Sequence, residues 1–313
     1  DIKGWLKGQR TRLTRKVNIM SVMSYFLRSP LSRSVVSGWN WRSAKAELQQ
    51  PDSSGRVVLI GAGPGDPELL TVKAQRLLQQ ADVLLFDSLV SAELLAIAPR
   101  RCKKVFVGKR AGRHAMPQQD INQLLVKYGQ QGGLVVRLKG GDPAIFGRVA
   151  EEAAALQQAG IAFAIVPGVT SACAASAYCG IPLTARGSAT SVQFLTAQFA
   201  NPAKQPDWSG YQYRTNGTNP TLVVYMGLNR LQQLCAGLVS AGWPHDTPIA
   251  LLDQVSTSQQ RQLQGTLADI GQRLAANPLC GPTLIVIGEV LHQRMTVDLS
   301  LLQAKANMPA AII

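Results

Sequence analysis

Val57-Val58-Leu59-Ile60-Gly61-Ala62-Gly63-Pro64-Gly65-Asp66-Pro67-Glu68 is an apolar run cut off by a loop of glycine and proline, and an amphipathic stretch follows as far as Gln80. A strand with one wet face alternates apolar and polar residues, whereas an unbroken, β-branched run suits a strand covered on both faces. The stretch therefore reads as strand, tight loop, helix. Short apolar runs recur at 83–86, 105–107, 134–138 and 163–166, each flanked by turn residues. Such a βαβ succession predicts a parallel sheet with helices on its faces.

Further along, a helix expected over 170–178 is stopped by Cys179-Gly180-Ile181-Pro182-Leu183, and further strands are expected at 192–196, 221–225, 249–252, 261–264 and 284–287. The polar segment 198–219, rich in Pro and Gly, reads as a long loop. With a boundary near 184–187, the chain divides into an arm (1–55), an N-terminal αβ domain (56–186), a C-terminal αβ domain (187–302) and a tail (303–313).

The chain has 313 residues, 46% of them apolar and 16% charged, which is enough to bury one large core or two ordinary ones and excludes disorder over most of its length. It contains no run of eighteen apolar residues, so no membrane-spanning helix is expected. The net charge of +14 predicts attraction to a polyanion, be it nucleic acid, an anionic surface or a multiply charged small molecule. Half of it lies in the arm, where ten basic residues stand against three acidic ones. The arm's stretch from Met20 to Arg42 has the composition of an organellar transit peptide. The arm reads equally as an artefactual extension ahead of Met20 or Met23, or as a basic nucleic-acid-binding tail without aromatic interleaving. A second concentration lies between 100 and 148, with 11 basic residues against Asp120 and Asp142. Five dispersed cysteines without C-x-x-C and three scattered histidines point to a reduced protein without metal.

Ligands of a parallel sheet sit beyond the carboxyl ends of its strands, which directs attention to three loops. Gly61 to Glu68 is not a dinucleotide fingerprint, because Asp66 stands where the third glycine belongs, and no Gly-Lys-Ser/Thr follows to make a phosphate loop. Alone it is as well read as a tight turn capped by Asp66. Lys139-Gly140-Gly141-Asp142-Pro143-Ala144-Ile145-Phe146-Gly147-Arg148 repeats the theme, and Val166-Pro167-Gly168-Val169-Thr170-Ser171 brings small residues and hydroxyls to the same rim. Thr170 and Ser171 are equally plain helix caps.

Taken in order, Gly61-Ala62-Gly63-Pro64-Gly65-Asp66-Pro67-Glu68-Leu69-Leu70-Thr71, Phe86-Asp87-Ser88-Leu89-Val90-Ser91, Val107-Gly108-Lys109-Arg110-Ala111-Gly112-Arg113-His114, Gly140-Gly141-Asp142-Pro143 and Ser176-Ala177-Tyr178-Cys179-Gly180-Ile181-Pro182-Leu183-Thr184 resemble the tetrapyrrole methylases over about residues 56–302. The third and fifth segments are most similar to members acting on uroporphyrinogen III. The resemblance implies an α/β, tetrapyrrole methylase fold of two αβ domains, the first sheet mostly parallel and the second mixed. S-adenosylmethionine would occupy the cleft between them and leave as S-adenosylhomocysteine. The reaction implied is methylation of uroporphyrinogen III at C2 and C7 to precorrin-2, for sirohaem or cobalamin, by a cytoplasmic homodimer (organellar if the arm is a transit peptide) that needs no metal, nucleic acid or membrane.

The residues implied for the cofactor are Pro64, Gly140, Gly141, Asp142, Ile145, Thr170, Ser171, Met226, Val255 and Thr283. Asp87 matches the family's acid/base residue and Lys109 its partner, although an Asp after a strand is usually a turn former. Arg110, Arg113 and Arg148, whose forks suit carboxylates, fall on the substrate side with His114, Gln118 and Asn122. Arg100, Arg101, Lys103 and Lys104 precede their strand rather than stand at its functional end, and for them a carboxylate contact and plain solvated charge both stay open. By residue type alone, Met226 and Ile145 would be core residues. Ala197-Gln198 replaces a usual Gly-His, Val255 a common Gly and Thr283 a common Ala. Residues 1–55 are too short for the dehydrogenase/ferrochelatase domain that some members carry, so methylation alone is expected. The competing readings are a methylase of later cobalamin synthesis, an NAD-dependent dehydrogenase and a nucleic-acid-binding protein.

Overall fold

The computed structural model describes residues 55–108, 116–197 and 208–303, all within one compact unit. Apart from Gly55 and Gln303, the arm and tail lie outside these residues, as do Lys109, Arg110, Arg113, His114 and residues 198–207 of the expected loop.

The first sheet holds five parallel strands in the order β3-β2-β4-β1-β5: β1 (Arg56–Gly61), β2 (Val83–Phe86), β3 (Lys103–Phe106), β4 (Leu134–Lys139) and β5 (Phe163–Val166). Alternate residues of β1 explain the unbroken apolar run. Val58 and Ile60 pack under α1 (Val72–Leu78) and α2 (Ala92–Ile97), while Val57 and Leu59 pack under α3 (Gln118–Gln130) and α4 (Val149–Gln158). β3 starts earlier than its apolar run, because it is an edge strand whose exposed Lys103 and Lys104 belong to the ladder. Both lysines still lie at its amino end, away from the carboxyl rim.

The second sheet is mixed and has the order β6-β7-β10-β8-β9: β6 (Val192–Thr196), β7 (Thr221–Tyr225), β8 (Pro248–Asp253), β9 (Arg261–Thr266) and β10 (Thr283–Ile287). β6 and β7 are parallel, and the other pairs are antiparallel. One face is covered by α6 (Leu231–Ser240) and α7 (Ile270–Ala276). The other is covered by α5 (Ser171–Cys179), which precedes the expected boundary yet buries Ala172, Ala174, Ala175 and Cys179 among Val223, Ala250, Leu252 and Val286. Small residues let this helix lie close to the sheet, and Gly180 ends it in a left-handed turn with φ 64°. The chain closes with the short α8 (Ser300–Gln303).

Candidate functional site

Parallel strands deliver the loops that follow them to one edge, and here those loops lock together. Gly63 and Gly141 exchange backbone hydrogen bonds of 3.2 and 2.7 Å, tying the loop after β1 to the loop after β4. A Cβ on Gly61 would stand 2.6 Å from both the Gly141 carbonyl oxygen and the Gly168 nitrogen, and one on Gly168 would run into the Gly141 carbonyl. Backbone cannot yield as a side chain can, so these glycines are demanded by the packing of loop on loop. Asp142 completes the stitch: Oδ1 accepts from the Ala144 N–H at 2.8 Å and Oδ2 from the Gly168 N–H at 3.0 Å.

The second sheet meets this rim with the carboxyl ends of β7 and β8 and the start of β10. Tyr225, the last residue of β7, places its hydroxyl 2.7 Å from Thr170 Oγ1, accepts from the Ala172 N–H at 3.2 Å, and packs its ring against that of Phe146 in a tilted pair, centroids 5.1 Å apart. Burial raises its pKa. Thr170 thus occupies the N-cap position of α5 without capping it, since its hydroxyl is engaged across the cleft. Asp66 does cap: Oδ1 accepts from the Glu68 N–H, while Oδ2 accepts from the Tyr178 hydroxyl and the Asp66 N–H donates to Ser256 Oγ at 3.1 Å. Burial, then the bond to Asp66, pushes Tyr178 up to about 12.

All five non-glycine residues with left-handed backbone among the described residues lie in these loops: Phe146, Arg148, Met226, Gln254 and Ser256. Strain of this kind collects at ligand sites. Met226, with φ 55°, is 47% exposed rather than a core residue, and Ile145 is half-buried. Pro64 is half-buried beside the Gly63 bridge. Gly140 abuts Leu89, and a Cβ on Gly141 would meet the Ser171 N–H and Oγ at an ordinary contact distance of 3.9 Å. Thr283 Oγ1 donates to the buried Asp253 at 2.8 Å. The Val255 side chain is packed into the core, so only its backbone borders the cleft.

Asp87 follows β2 at the same rim. One oxygen does form a turn, accepting from the Leu89 N–H at 3.0 Å, and the other faces Arg137 Nη2 at 3.6 Å. Behind it lies a buried charge cluster. Glu152 of α4 accepts on Oε1 from Arg137 Nε (3.2 Å), Lys139 Nζ (2.8 Å) and Gln118 Nε2 (3.3 Å). Burial, and the neighbouring Arg137, lower the Lys139 pKa against the pull of Glu152. Gln118 also donates to Asn122, and Arg148 grips Glu151 through two hydrogen bonds of 2.7 and 2.6 Å. Arg137, Glu152, Tyr178, Tyr225 and Ser256 were not among the expected residues. Two basic residues at alternate positions of an otherwise apolar strand were the signal for Arg137 and its buried partner. A surface groove of about 520 Å³ between α3 and α4 shares none of the loop residues.

Residues 56–271 match the model of the tetrapyrrole (corrin/porphyrin) methylases. The chain belongs to this family. It is 49% identical over 257 residues to the siroheme synthase of Psychrobacter sp. (81% of this chain, 52% of the relative) and 50% identical over 240 residues to that of Acinetobacter baylyi (77% and 52%). The chain therefore spans about half the length of these curated relatives. Among solved structures, it resembles the uroporphyrin-III C-methyl transferase of Thermus thermophilus complexed with S-adenosyl homocysteine (TM-score 0.66, 38% identity, 76% of this chain and 100% of that one). It also resembles a cobalt precorrin-4 methyltransferase (TM-score 0.65, 29% identity, 75% and 95%). The family's two-sheet α/β architecture is the one described above.

Proposed function

We propose that this methylase uses S-adenosylmethionine to convert uroporphyrinogen III to precorrin-2 by C-methylation at C2 and C7. The observation that carries the reading is the cleft itself, where three interlocked glycine loops face the Tyr225-Met226 corner, with a carboxylate at the same rim. The cofactor fits there. Gly141 presents backbone without a side chain, with the Ser171 N–H and Oγ close by as polar contacts, and the exposed Met226 and half-buried Ile145 offer apolar surface to an adenine. Pro64, Gly140, Asp142, Thr170, Thr283 and the Val255 backbone complete the proposed cofactor set, with Asp142 and Thr170 bracing the walls.

Bound there, the cofactor supplies a methyl group on a positively charged sulfur. The protein holds the pyrrole carbon in line with it and excludes water with Leu89, Ile145, Phe146 and Met226. Alkylation leaves positive charge on the pyrrole, which is relieved by loss of a proton. Asp87, oriented through Oδ1 by the Leu89 N–H, takes that proton on Oδ2, with Lys109 as its partner. Arg110, Arg113, His114 and Arg148 meet the substrate's carboxylates. Arg148 must then share its fork with Glu151, and Gln118, already committed to Asn122 and Glu152, contributes least. The family resemblance also carries the expectation of a homodimer, readable from the mass in solution.

Anaerobic incubation with uroporphyrinogen III and S-adenosylmethionine tests the assignment through the spectrum of precorrin-2 or its oxidised product. Absence of product from protein shown to bind S-adenosylhomocysteine would sink it. Methylation of a later corrinoid precursor instead would favour the rival within the family.

A further inference from the structure

Arg137, Lys139 and Glu152 are each no more than 4% exposed, and they lie directly behind Asp87. Burying ions is a poor route to stability, because well-packed apolar residues of similar volume commonly do as well or better. This cluster is also unevenly satisfied: three donors converge on Glu152 Oε1, while the buried Oε2 has no hydrogen-bond partner among the described residues. Its value is more readily found in where it holds the guanidinium.

The Arg137 side chain is a rigid plane, so fixing two of its nitrogens decides where the third points. Nε donates to Glu152 at 3.2 Å and Nη1 to the Leu138 carbonyl at 2.9 Å. Nη2 is thereby left 3.6 Å from Asp87 Oδ2, near enough to place positive charge beside the carboxylate but beyond hydrogen-bond reach. Without the Glu152 charge, the guanidinium is free to close on Asp87 as a two-pronged pair and occupy the oxygen that has to accept a proton. We propose that Glu152 is a positioning residue for the Asp87 carboxylate and acts by restraining Arg137. The inference rests on the reading of Asp87 as proton acceptor. Lys139, bonded to Glu152 at 2.8 Å, balances the second charge, so that removing Glu152 alone also leaves two buried cations adjacent.

The test compares Glu152→Gln, the charge-balanced pair Lys139→Met/Glu152→Met, and Asp87→Asn alone and combined with Glu152→Gln, in the full chain. Both Glu152 variants are expected to bind S-adenosylhomocysteine within about twofold of wild type and to keep KM within roughly threefold, while kcat falls at least about tenfold. The methionine pair should melt within a few degrees of wild type. In the Asp87→Asn background, where single-turnover rates are already down by about 10²-fold or more, adding Glu152→Gln should change the rate by less than about twofold. Wild-type kcat in the methionine pair, or the full loss repeated in the Asp87→Asn background, overturns the proposal. It also falls if the losses are confined to melting temperature and cofactor binding, or if neither Glu152 variant folds, since the cluster is then structural. Wild-type turnover by Asp87→Asn would instead defeat the reading of Asp87, and this proposal with it.

Discussion

Tyr225→Phe removes one oxygen and should reveal how the two sheets are held at the rim. That oxygen lies 2.7 Å from Thr170 Oγ1 and accepts from the Ala172 N–H at 3.2 Å. Ala172 stands in the first turn of α5, where backbone donors have no partner within the helix, and Thr170 offers no capping bond. The substitution therefore deletes one hydroxyl bond, about 1 kcal/mol, and leaves a buried N–H unpaired at a cost of about 1–3 kcal/mol. With partial relaxation, the expected loss is about 2–3 kcal/mol, or roughly 5–10 °C in Tm for a domain of this size. Thr170→Val should lose about 1 kcal/mol, because Ala172 keeps its acceptor. The double variant should resemble Tyr225→Phe alone, giving a coupling of about 1 kcal/mol. Thermal unfolding followed by circular dichroism reads all three, and the increment in Tm from S-adenosylhomocysteine should shrink as the Thr170-Ser171 turn shifts. An unchanged Tm for Tyr225→Phe, or strictly additive losses, would refute the argument that this hydroxyl joins the third loop to the second sheet.

Gly168→Ala drives a methyl into the Gly141 carbonyl and should weaken S-adenosylhomocysteine binding by about tenfold or more in calorimetric titration, with a destabilisation of about 1–3 kcal/mol. Gly271→Ala, in α7 with nothing near its Cβ, is the control and should stabilise by about 0.5–1 kcal/mol. Tyr178 titrates near 12 in the folded protein against 10 when unfolded, so the unfolded state loses its proton first and stability declines as pH rises from about 10 towards 12. Urea midpoints across that range should show this decline in wild type and a weaker one in Tyr178→Phe. Asp87→Asn and Lys109→Ala should lower kcat by about 10²-fold or more while leaving S-adenosylhomocysteine affinity within about threefold. Loss of affinity alone would remove either residue from the chemistry.

Strands whose apolar runs are sharply bounded, such as Phe163–Val166, Val192–Thr196 and Thr221–Tyr225, were legible to the residue. Lys103–Phe106 was not, because an edge strand takes its hydrogen bonds whatever its side chains are, and charge at an edge looks like loop. The three glycine loops could be singled out in the sequence, but not the way they brace one another. A carboxylate that accepts from a backbone N–H in another loop, as Asp142 does from Gly168, carries no local signature. Thr170 shows the same limit, since a Thr before a helix reads as a cap until Tyr225, 55 positions along the chain, is seen to claim its hydroxyl. Asp87 reads as a turn former by residue type, and its Oδ1 does form the turn, whereas nothing local announces that Oδ2 faces the buried Arg137, 50 positions along the chain.

The basic concentration between 100 and 148 also sorts by position. Lys103 and Lys104 open an edge strand at its amino end, with Lys103 Nζ 5.0 Å from the Tyr128 ring centre, and Arg100 and Arg101 precede them. Arg137 and Lys139 face inward on β4, largely balanced by Glu152 and Asp87, so they shape the site's internal field and have no surface to offer a substrate carboxylate. Arg148 is exposed at the rim but already paired with Glu151. Lys127 stands in the last turn of α3, and the remaining three, Lys109, Arg110 and Arg113, lie outside the described residues. Charge that suggests a polyanion as a sum thus divides, among the described residues, into cations at the amino end of an edge strand, cations buried against Glu152 and Asp87, and one already held by Glu151.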